Sequence, residues 1–358
     1  MDECGIRGPT NNWFKNYLTN RKISTIISQV VGKEADVDSG VPTGSVYGPV
    51  GYIMYVNTVS NVVHNCKVFM YADDMCLVYA SKDITEVQKC IQGDFENISK
   101  WAHDNGIILN LQKTKCMHIH SPYNRNAKCV KNEDLTVIGH TYECMHRNKF
   151  NCNCKRLDYV DKFKYLGLTI DKNFNWRIHI NDICNRLRSV LSKFYQLKNV
   201  LNKKTLKIVY FALADSLMSY GLLVYGRTFI TYLRDIKDIQ IRLIKFLVSK
   251  NIKDNCNKDY DKLFSICKII PIDKKVEYLI GLEYYYNEKY KVNVKNKYNT
   301  HRVRENKLVL PKITNYYGKR TSKYLVAKVF NKIDLLREKV KISKGALKKK
   351  LKNIIQDC

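Results

Sequence analysis

Asp73 and Asp74 are the residues of this sequence best suited to chemistry. They are adjacent and lie between two apolar runs, Val68 to Tyr71 and Met75 to Ala80. That pattern predicts two strands joined by a tight turn, with both acids at the tip. Within a strand, neighbours point to opposite faces, but turn residues escape the pleat. Two carboxylates facing one cleft can clamp divalent ions. A pair of such ions holds the attacking and leaving oxygens of a phosphoryl transfer. An Asp-Asp pair also suits a plain solvated turn, since turns favour aspartate. The neighbourhood has to decide.

Several elements are legible around the pair. Residues 11–21 read as a short amphipathic helix with Trp13, Phe14 and Leu18 on one side, and residues 22–31 as a β-branched strand. Gly40-Val41-Pro42-Thr43-Gly44-Ser45 is a breaker cluster that must form a shaped loop. Tyr52, Tyr55, Val56, Val59 and Val63 then fall at helical spacing. A long helix is expected over 84–105, with Val87, Ile91, Phe95, Ile98 and Trp101 as its stripe and Gly106 as its stop. A strand over 107–120 completes an α+β unit. Beyond Leu166 the pattern turns helical: Trp176, Ile180, Ile183, Leu187, Val190, Phe194 and Leu197 recur every three or four residues. Further helices are expected near 204–219, 232–249 and 324–336. No internal repeat is visible.

Residues 121–160 are polar and rich in Cys and His, as an inserted loop or subdomain would be. His140, Cys144, His146, Cys152 and Cys154 fall within fifteen positions. Cys144 and His146 are separated by one residue, as are Cys152 and Cys154. Alternation along a hairpin would put all four on one face, a donor set for structural Zn²⁺. A Cys-rich loop without metal fits the same residues.

Composition narrows the partners. The 358 residues suffice for two or three compact units, and 45% hydrophobic content suits a folded chain. Lys and Arg outnumber Asp and Glu by 62 to 33, a net charge of +29. This excess points to a polyanion, with nucleic acid first and an anionic membrane surface second. Residues 251–358 alone hold 27 basic against 11 acidic side chains. Thirteen cysteines and an N-terminus without an apolar targeting core predict reduced thiols in a nuclear or cytoplasmic, non-secreted protein. No apolar run is long enough for a membrane span. The richest, 208–225, is broken by Asp215, Ser216 and Ser219.

In order, these segments resemble the reverse transcriptases of jockey-like non-LTR retrotransposons. Gly40-Val41-Pro42-Thr43-Gly44-Ser45-Val46-Tyr47-Gly48-Pro49 resembles the family's G-V-P-Q-G-S-x-x-G-P loop and helix start. Tyr71-Ala72-Asp73-Asp74 resembles its catalytic Y-A-D-D box. Trp101 with Leu109-Asn110, Lys113 and Thr114 resembles the next block, and Phe163-Lys164-Tyr165-Leu166-Gly167 the F-K-Y-L-G block. Tyr317-Gly318-Lys319-Arg320 and the Lys348–Lys352 run resemble basic tails. Each match alone is weak, but five in order are specific.

The resemblance implies an RNA-directed DNA polymerase that uses Mg²⁺ with an RNA template and a DNA primer. Asp73 and Asp74 would be the catalytic, Mg²⁺-holding carboxylates. Pro42, Thr43 and Gly44 would shape a loop against template or nucleotide. Tyr71 would pack beneath the primer end, or serve as a core aromatic. Lys113 would approach the leaving pyrophosphate, or be a solvated strand lysine. Tyr165, Leu166 and Gly167 would form the primer-gripping turn. The implied layout is a partial palm and fingers over 1–120, the Cys/His insertion over 121–160, grip and helical thumb over 161–250, and a basic, mostly helical region over 251–358. Thumb candidates for phosphate contact are Arg177, Arg186, Arg188, Lys193, Lys198, Lys203 and Lys204.

The sequence departs from the pattern in two places. The family's first catalytic aspartate lies in a block resembling F-D-x-x-K-A-F-D, upstream of the Gly5-Ile6-Arg7-Gly8 segment, and no F-D precedes Gly40 here. Asp36 and Asp38 sit in a polar turn and do not substitute. Two metal ions bring about four positive charges, which two aspartates alone hold poorly. The expectation is therefore a C-terminal part of a reverse transcriptase, inactive alone and partnered by the missing palm and fingers segment. The alternative is a non-catalytic nucleic-acid binder using thumb and tail. A maturase-like splicing cofactor is a more distant rival. The second departure is Thr43, which stands where the family usually has Gln.

Overall fold

The computed structural model describes residues 5–42, 44–124, 130–131, 134–140, 144, 154–256, 259–287, 308, 310–313, 315–333 and 343–357. Two compact units divide the chain: residues 1–118 with 122–160, and residues 119–121 with 161–358. The architecture is α+β, with short two-stranded sheets in both units and a helical majority in the second.

The first unit opens with α1 (Gly8–Leu18) and four short strands, β1 (Arg21–Ile23), β2 (Ile26–Ile27), β3 (Val30–Val31) and β4 (Ala35–Val37). The single strand expected over 22–31 is instead broken by Ser28 and Gln29, at φ 49° and 71°. Two consecutive left-handed residues make the turn that suits a two-residue hairpin, so Ile27 pairs with Val30 and the β-branched run folds back on itself. Next come α2 (Tyr47–Val56), a 3₁₀ turn over Asn57–Val62, and the hairpin of β5 (Lys67–Tyr71) and β6 (Asp74–Val78). Helix α3 (Ile84–Asp104) follows. Its Asp83 cap accepts from the Thr85 amide, and Gly106 stops it at φ 64°. Phe95, Ile98 and Ala102 are buried along one stripe.

The strand expected over 107–120 shrinks to β7 (Lys115–Cys116). Asn110 is the reason, because its side chain and carbonyl take the amide of Lys113, and its carbonyl also takes the amide of Thr114. Such local bonds compete with a ladder. Strands β8 (Ile138–Gly139), β9 (Lys155–Arg156) and β10 (Asp158–Tyr159) complete the unit, with β8 antiparallel to β9 and β10 parallel to β7. Phe95, Val137 and Leu157 form a small buried cluster of its own.

The second unit begins with the hairpin of β11 (Lys162–Tyr165) and β12 (Leu168–Asp171). Asp171 is buried, and its carboxylate accepts the amides of Asn173, Asn175 and Trp176. That cage launches α4 (Arg177–Leu197), whose Ile180, Ile183, Leu187, Leu191 and Phe194 face the core. The helix expected over 204–219 is present but interrupted. Helix α5 (Lys203–Val209) passes through a π-helical turn at Tyr210–Asp215 into α6 (Ser216–Ser219). Helices α7 (Leu222–Tyr225), α8 (Ile230–Ile244), α9 (Lys250–Asn255), α10 (Tyr260–Cys267), α11 (Ile272–Tyr286), α12 (Tyr316–Lys319), α13 (Ser322–Lys332) and α14 (Lys344–Asp357) follow.

One continuous core joins residues from Trp176 to Ile355. Gln240 is a polar tie within it: its amide donates to Tyr210 and to the Ile270 carbonyl and accepts the Ile272 amide. The basic tail segments are part of this packed unit. Leu347, Leu351 and Ile355 are buried, while Lys348, Lys349 and Lys350 face out. Arg320 donates to the carbonyls of Arg227 and Phe174. These segments are structural as well as basic.

Candidate active site

The ladder of β5 and β6 fixes the acids. Lys67 pairs with Val78, Phe69 with Cys76, Met70 with Met75 and Tyr71 with Asp74. Only Ala72 and Asp73 remain for the turn. Ala72 takes φ 51°, a left-handed backbone that costs a residue with a Cβ about 1–2 kcal/mol. Asp73 therefore stands on the turn and Asp74 on the first rung, and both are exposed. The expected hairpin is present. Tyr71 exposes 67% of its surface, so it is not a core aromatic.

Asp94, a residue without a role in the sequence reading, positions this hairpin. It is fully buried on α3, and its carboxylate accepts the amides of His64 (3.0 Å), Asn65 (2.8 Å) and Cys66 (2.6 Å), the residues leading into β5. Burial pushes its carboxyl up, but these backbone donors outweigh burial and hold it below the ordinary value. Burial and then the Asp94 carboxylate push the Cys66 thiol up to about 12.

Helix α2 is linked to the turn through Tyr52. Ser45 Oγ accepts the Gly48 amide at 2.9 Å and caps its start. Burial, then the charge of Asp73, raise the Tyr52 phenol above its ordinary value, which places Tyr52 in the field of that carboxylate. In the preceding loop, the Pro42 carbonyl accepts the Ser45 amide, and Gly44 takes φ 78°. A Cβ on Gly44 would meet nothing within 4 Å, so backbone conformation is what calls for glycine there. Thr43 lies outside the described residues. Lys113 is exposed on the Asn110 turn rather than on a strand.

In the second unit, Leu166 and Gly167 form the β11–β12 turn at φ 45° and 77°, with Tyr165 paired to Leu168. Tyr220 donates to the Leu166 carbonyl at 2.7 Å. Beside this turn lies a groove of about 680 Å³, lined by Lys164, Arg186, Lys193 and His179 among others. Of the basic residues on and after α4, Arg186 and Lys193 face it. Lys203 instead donates to the Phe246 carbonyl, and Arg188 to Asn185.

His140, Cys144 and Cys154 come together in the first unit, with one donor atom from each within 4.8 Å of the others. His146 and Cys152 lie outside the described residues. The sequence paired Cys144 with His146; the geometry pairs it with His140.

An α+β unit with paired carboxylates at a hairpin turn, in a chain of net charge +29, suits a protein that works on a polyanion. Residues 3–170 match the reverse transcriptase (RNA-dependent DNA polymerase) family. The chain is 24% identical over 251 residues to a probable RNA-directed DNA polymerase from transposon X-element of Drosophila melanogaster, covering 68% of this chain and 25% of that protein. It is 23% identical over 241 residues to the RNA-directed DNA polymerase from mobile element jockey of Drosophila funebris, covering 64% and 24%. It is also 24% identical over 167 residues to a retrovirus-related Pol polyprotein from type-1 retrotransposable element R1 2 of Nasonia vitripennis, covering 46% and 36%. The chain spans about a quarter of the length of the first two relatives. Residues 3–170 are thus similar to reverse transcriptases, and the relatives named are polymerases of transposons and mobile elements.

Proposed function

We propose that this chain carries part of an RNA-directed DNA polymerase site, in which Asp73 and Asp74 hold Mg²⁺ for nucleotidyl transfer to a DNA primer on an RNA template. The observation that carries this reading is the two-residue turn, held at a left-handed Ala72, that fixes both carboxylates at an exposed tip. The donor set fits the ion: Mg²⁺ takes hard oxygen ligands, is held by one or two carboxylates, and keeps several waters. When bound, it neutralises charge on the phosphates and activates the primer hydroxyl.

Among the described residues, the sole metal-holding group of three or more His, Cys, Asp or Glu side chains lies elsewhere. Two ions need more oxygens than two aspartates offer, so a complete site takes a further carboxylate, which a palm segment bearing an F-D-x-x-K-A-F-D-like block would supply.

The test is Mg²⁺-dependent primer extension on an RNA template, by the chain alone and with a separately produced palm segment bearing the F-D-x-x-K-A-F-D block. Extension that appears on mixing and disappears in Asp73→Ala supports the reading. Salt-sensitive binding with no extension in either case, unchanged by Asp73→Ala, supports the non-catalytic binder instead.

A further inference from the structure

The Cys/His cluster of the first unit stands apart from the Asp73–Asp74 turn and carries a chemistry of its own. Two short strands assemble it. Ile138 pairs with Arg156 and Gly139 with Lys155, antiparallel. One step further along that register sets His140 opposite Cys154, a cross-strand pair whose side chains leave the ladder on the same face. Cys144, four residues past His140, brings its Sγ to 3.4 Å from His140 Nδ1.

That separation is informative. With Zn–S near 2.3 Å and Zn–N near 2.0–2.1 Å, a tetrahedral ion sets its sulfur and nitrogen ligands about 3.6 Å apart. The observed 3.4 Å is therefore close to a ligand–ligand edge, and all three donors already lie within 4.8 Å of one another.

A second, independent observation concerns the other ring nitrogen. His140 Nε2 faces Glu96 Oε1 at 3.7 Å, with the His140 side chain 8% exposed and that of Glu96 23%. Glu96 is itself held, since Gln92 donates to its Oε1 at 2.8 Å. The same Gln92 amide donates to the Ile138 carbonyl and accepts the Ile138 amide, so α3 and β8 are locked together. A carboxylate on the far nitrogen of a histidine fixes the tautomer and turns the near nitrogen's lone pair toward a metal.

We propose that His140 Nδ1, Cys144 Sγ and Cys154 Sγ bind Zn²⁺, with Glu96 as the outer carboxylate that orients the imidazole. The fourth tetrahedral position is left to solvent or a further donor. Among the described residues, the nearby cluster of Phe95, Val137 and Leu157 spans α3 and the strands around β8 and β9. A metal there would tie β8 and β9 to α3. The inference does not rest on the polymerase reading.

The experiment is metal analysis of the full chain, produced without a histidine tag and passed over a mild chelator. One zinc per chain is expected. His140→Ala and Cys154→Ser lower it to background, whereas Cys76→Ser, at a cysteine outside the cluster, retains it. Glu96→Gln keeps the ligands and weakens affinity about 10–100-fold. Should the ligand variants fail to fold, Co²⁺ substitution of the unaltered chain decides. Tetrahedral d–d bands with thiolate charge transfer support the site. Sub-stoichiometric zinc, zinc retained by both ligand variants, an octahedral thiolate-free Co²⁺ spectrum, or a Cys144–Cys154 disulfide in the purified chain overturns it.

Discussion

The hydroxyl of Tyr220 donates to the carbonyl oxygen of Leu166 across 2.7 Å, and its ring covers the neighbouring Gly167. A Cβ on Gly167 would lie 3.0 Å from the Tyr220 ring, at a backbone φ of 77°. Gly167→Ala therefore meets both a left-handed backbone, about 1–2 kcal/mol, and a crowded ring. Tyr220→Phe removes one hydrogen bond, about 0.5–1.5 kcal/mol and at the low end because the residue is exposed. Because both changes act on one contact, the double variant should depart from additivity by about 0.5 kcal/mol or more. Denaturant midpoints of the four proteins measure this, and strict additivity would separate the turn from Tyr220.

Asp94 makes a pH-dependent anchor. Its carboxyl is held below its ordinary value, so the stability it contributes is present above the unfolded value near 3.9 and is lost as pH falls through the folded value. Asp94→Asn takes the charged acceptor from the amides of His64, Asn65 and Cys66 and leaves at least one of them facing an NH2 group, a loss of about 2–3 kcal/mol at pH 7. Hydrogen exchange of the Lys67–Val78 amides is the readout. Protection should fall in the variant at pH 7, and the gap from the unaltered chain should narrow at pH 3. An equal gap at both values would remove the carboxylate from the account.

What was legible in the sequence follows from range. The hairpin bearing Asp73 and Asp74 could be read because its strands and turn are contiguous, and α3 because its stripe and Gly106 are local. Asp94 could not, since an acid on a helix reads as solvated until His64 to Cys66 are known to face it. The helix expected near 324–336 is present as α13, but α14 was obscured by lysines, although Leu347, Leu351 and Ile355 keep the four-residue spacing of a buried stripe. His140 meets Cys154 only through a register set by two-residue strands, which are too short to carry a periodic pattern. Residues 22–31 misled because β-branched composition says strand without saying where it turns.

Ala72 offers a test of how the turn serves the acids. Glycine adopts φ 51° without strain, which returns about 1–2 kcal/mol, against about 0.5–1 kcal/mol of added unfolded-state entropy. Ala72→Gly should thus raise stability slightly, by about 0.5–1 kcal/mol, while loosening the Asp73 carboxylate. In the reconstituted extension assay, the expected outcome is a lower kcat with unchanged salt dependence of binding. Unchanged kcat would mean that the left-handed alanine has no part in holding the acid.

The groove beside the β11–β12 turn yields a prediction about binding alone. Lys164, Arg186 and Lys193 line it, and all three are exposed cations within one compact unit. If the three contact phosphates, each releases counterions and adds about 0.7–0.9 to the slope of log Kobs against log salt. Arg186→Ala with Lys193→Ala should then lower that slope by about 1.4–1.8 and weaken binding uniformly across sequences. Lys203→Ala is the comparison, since its ammonium is engaged by the Phe246 carbonyl. It should cost some stability and leave the slope unchanged. Fluorescence anisotropy of a labelled RNA–DNA primer-template between low and moderate salt gives both quantities. A slope that moves with Lys203 and not with Arg186 and Lys193 would place the phosphates on another face.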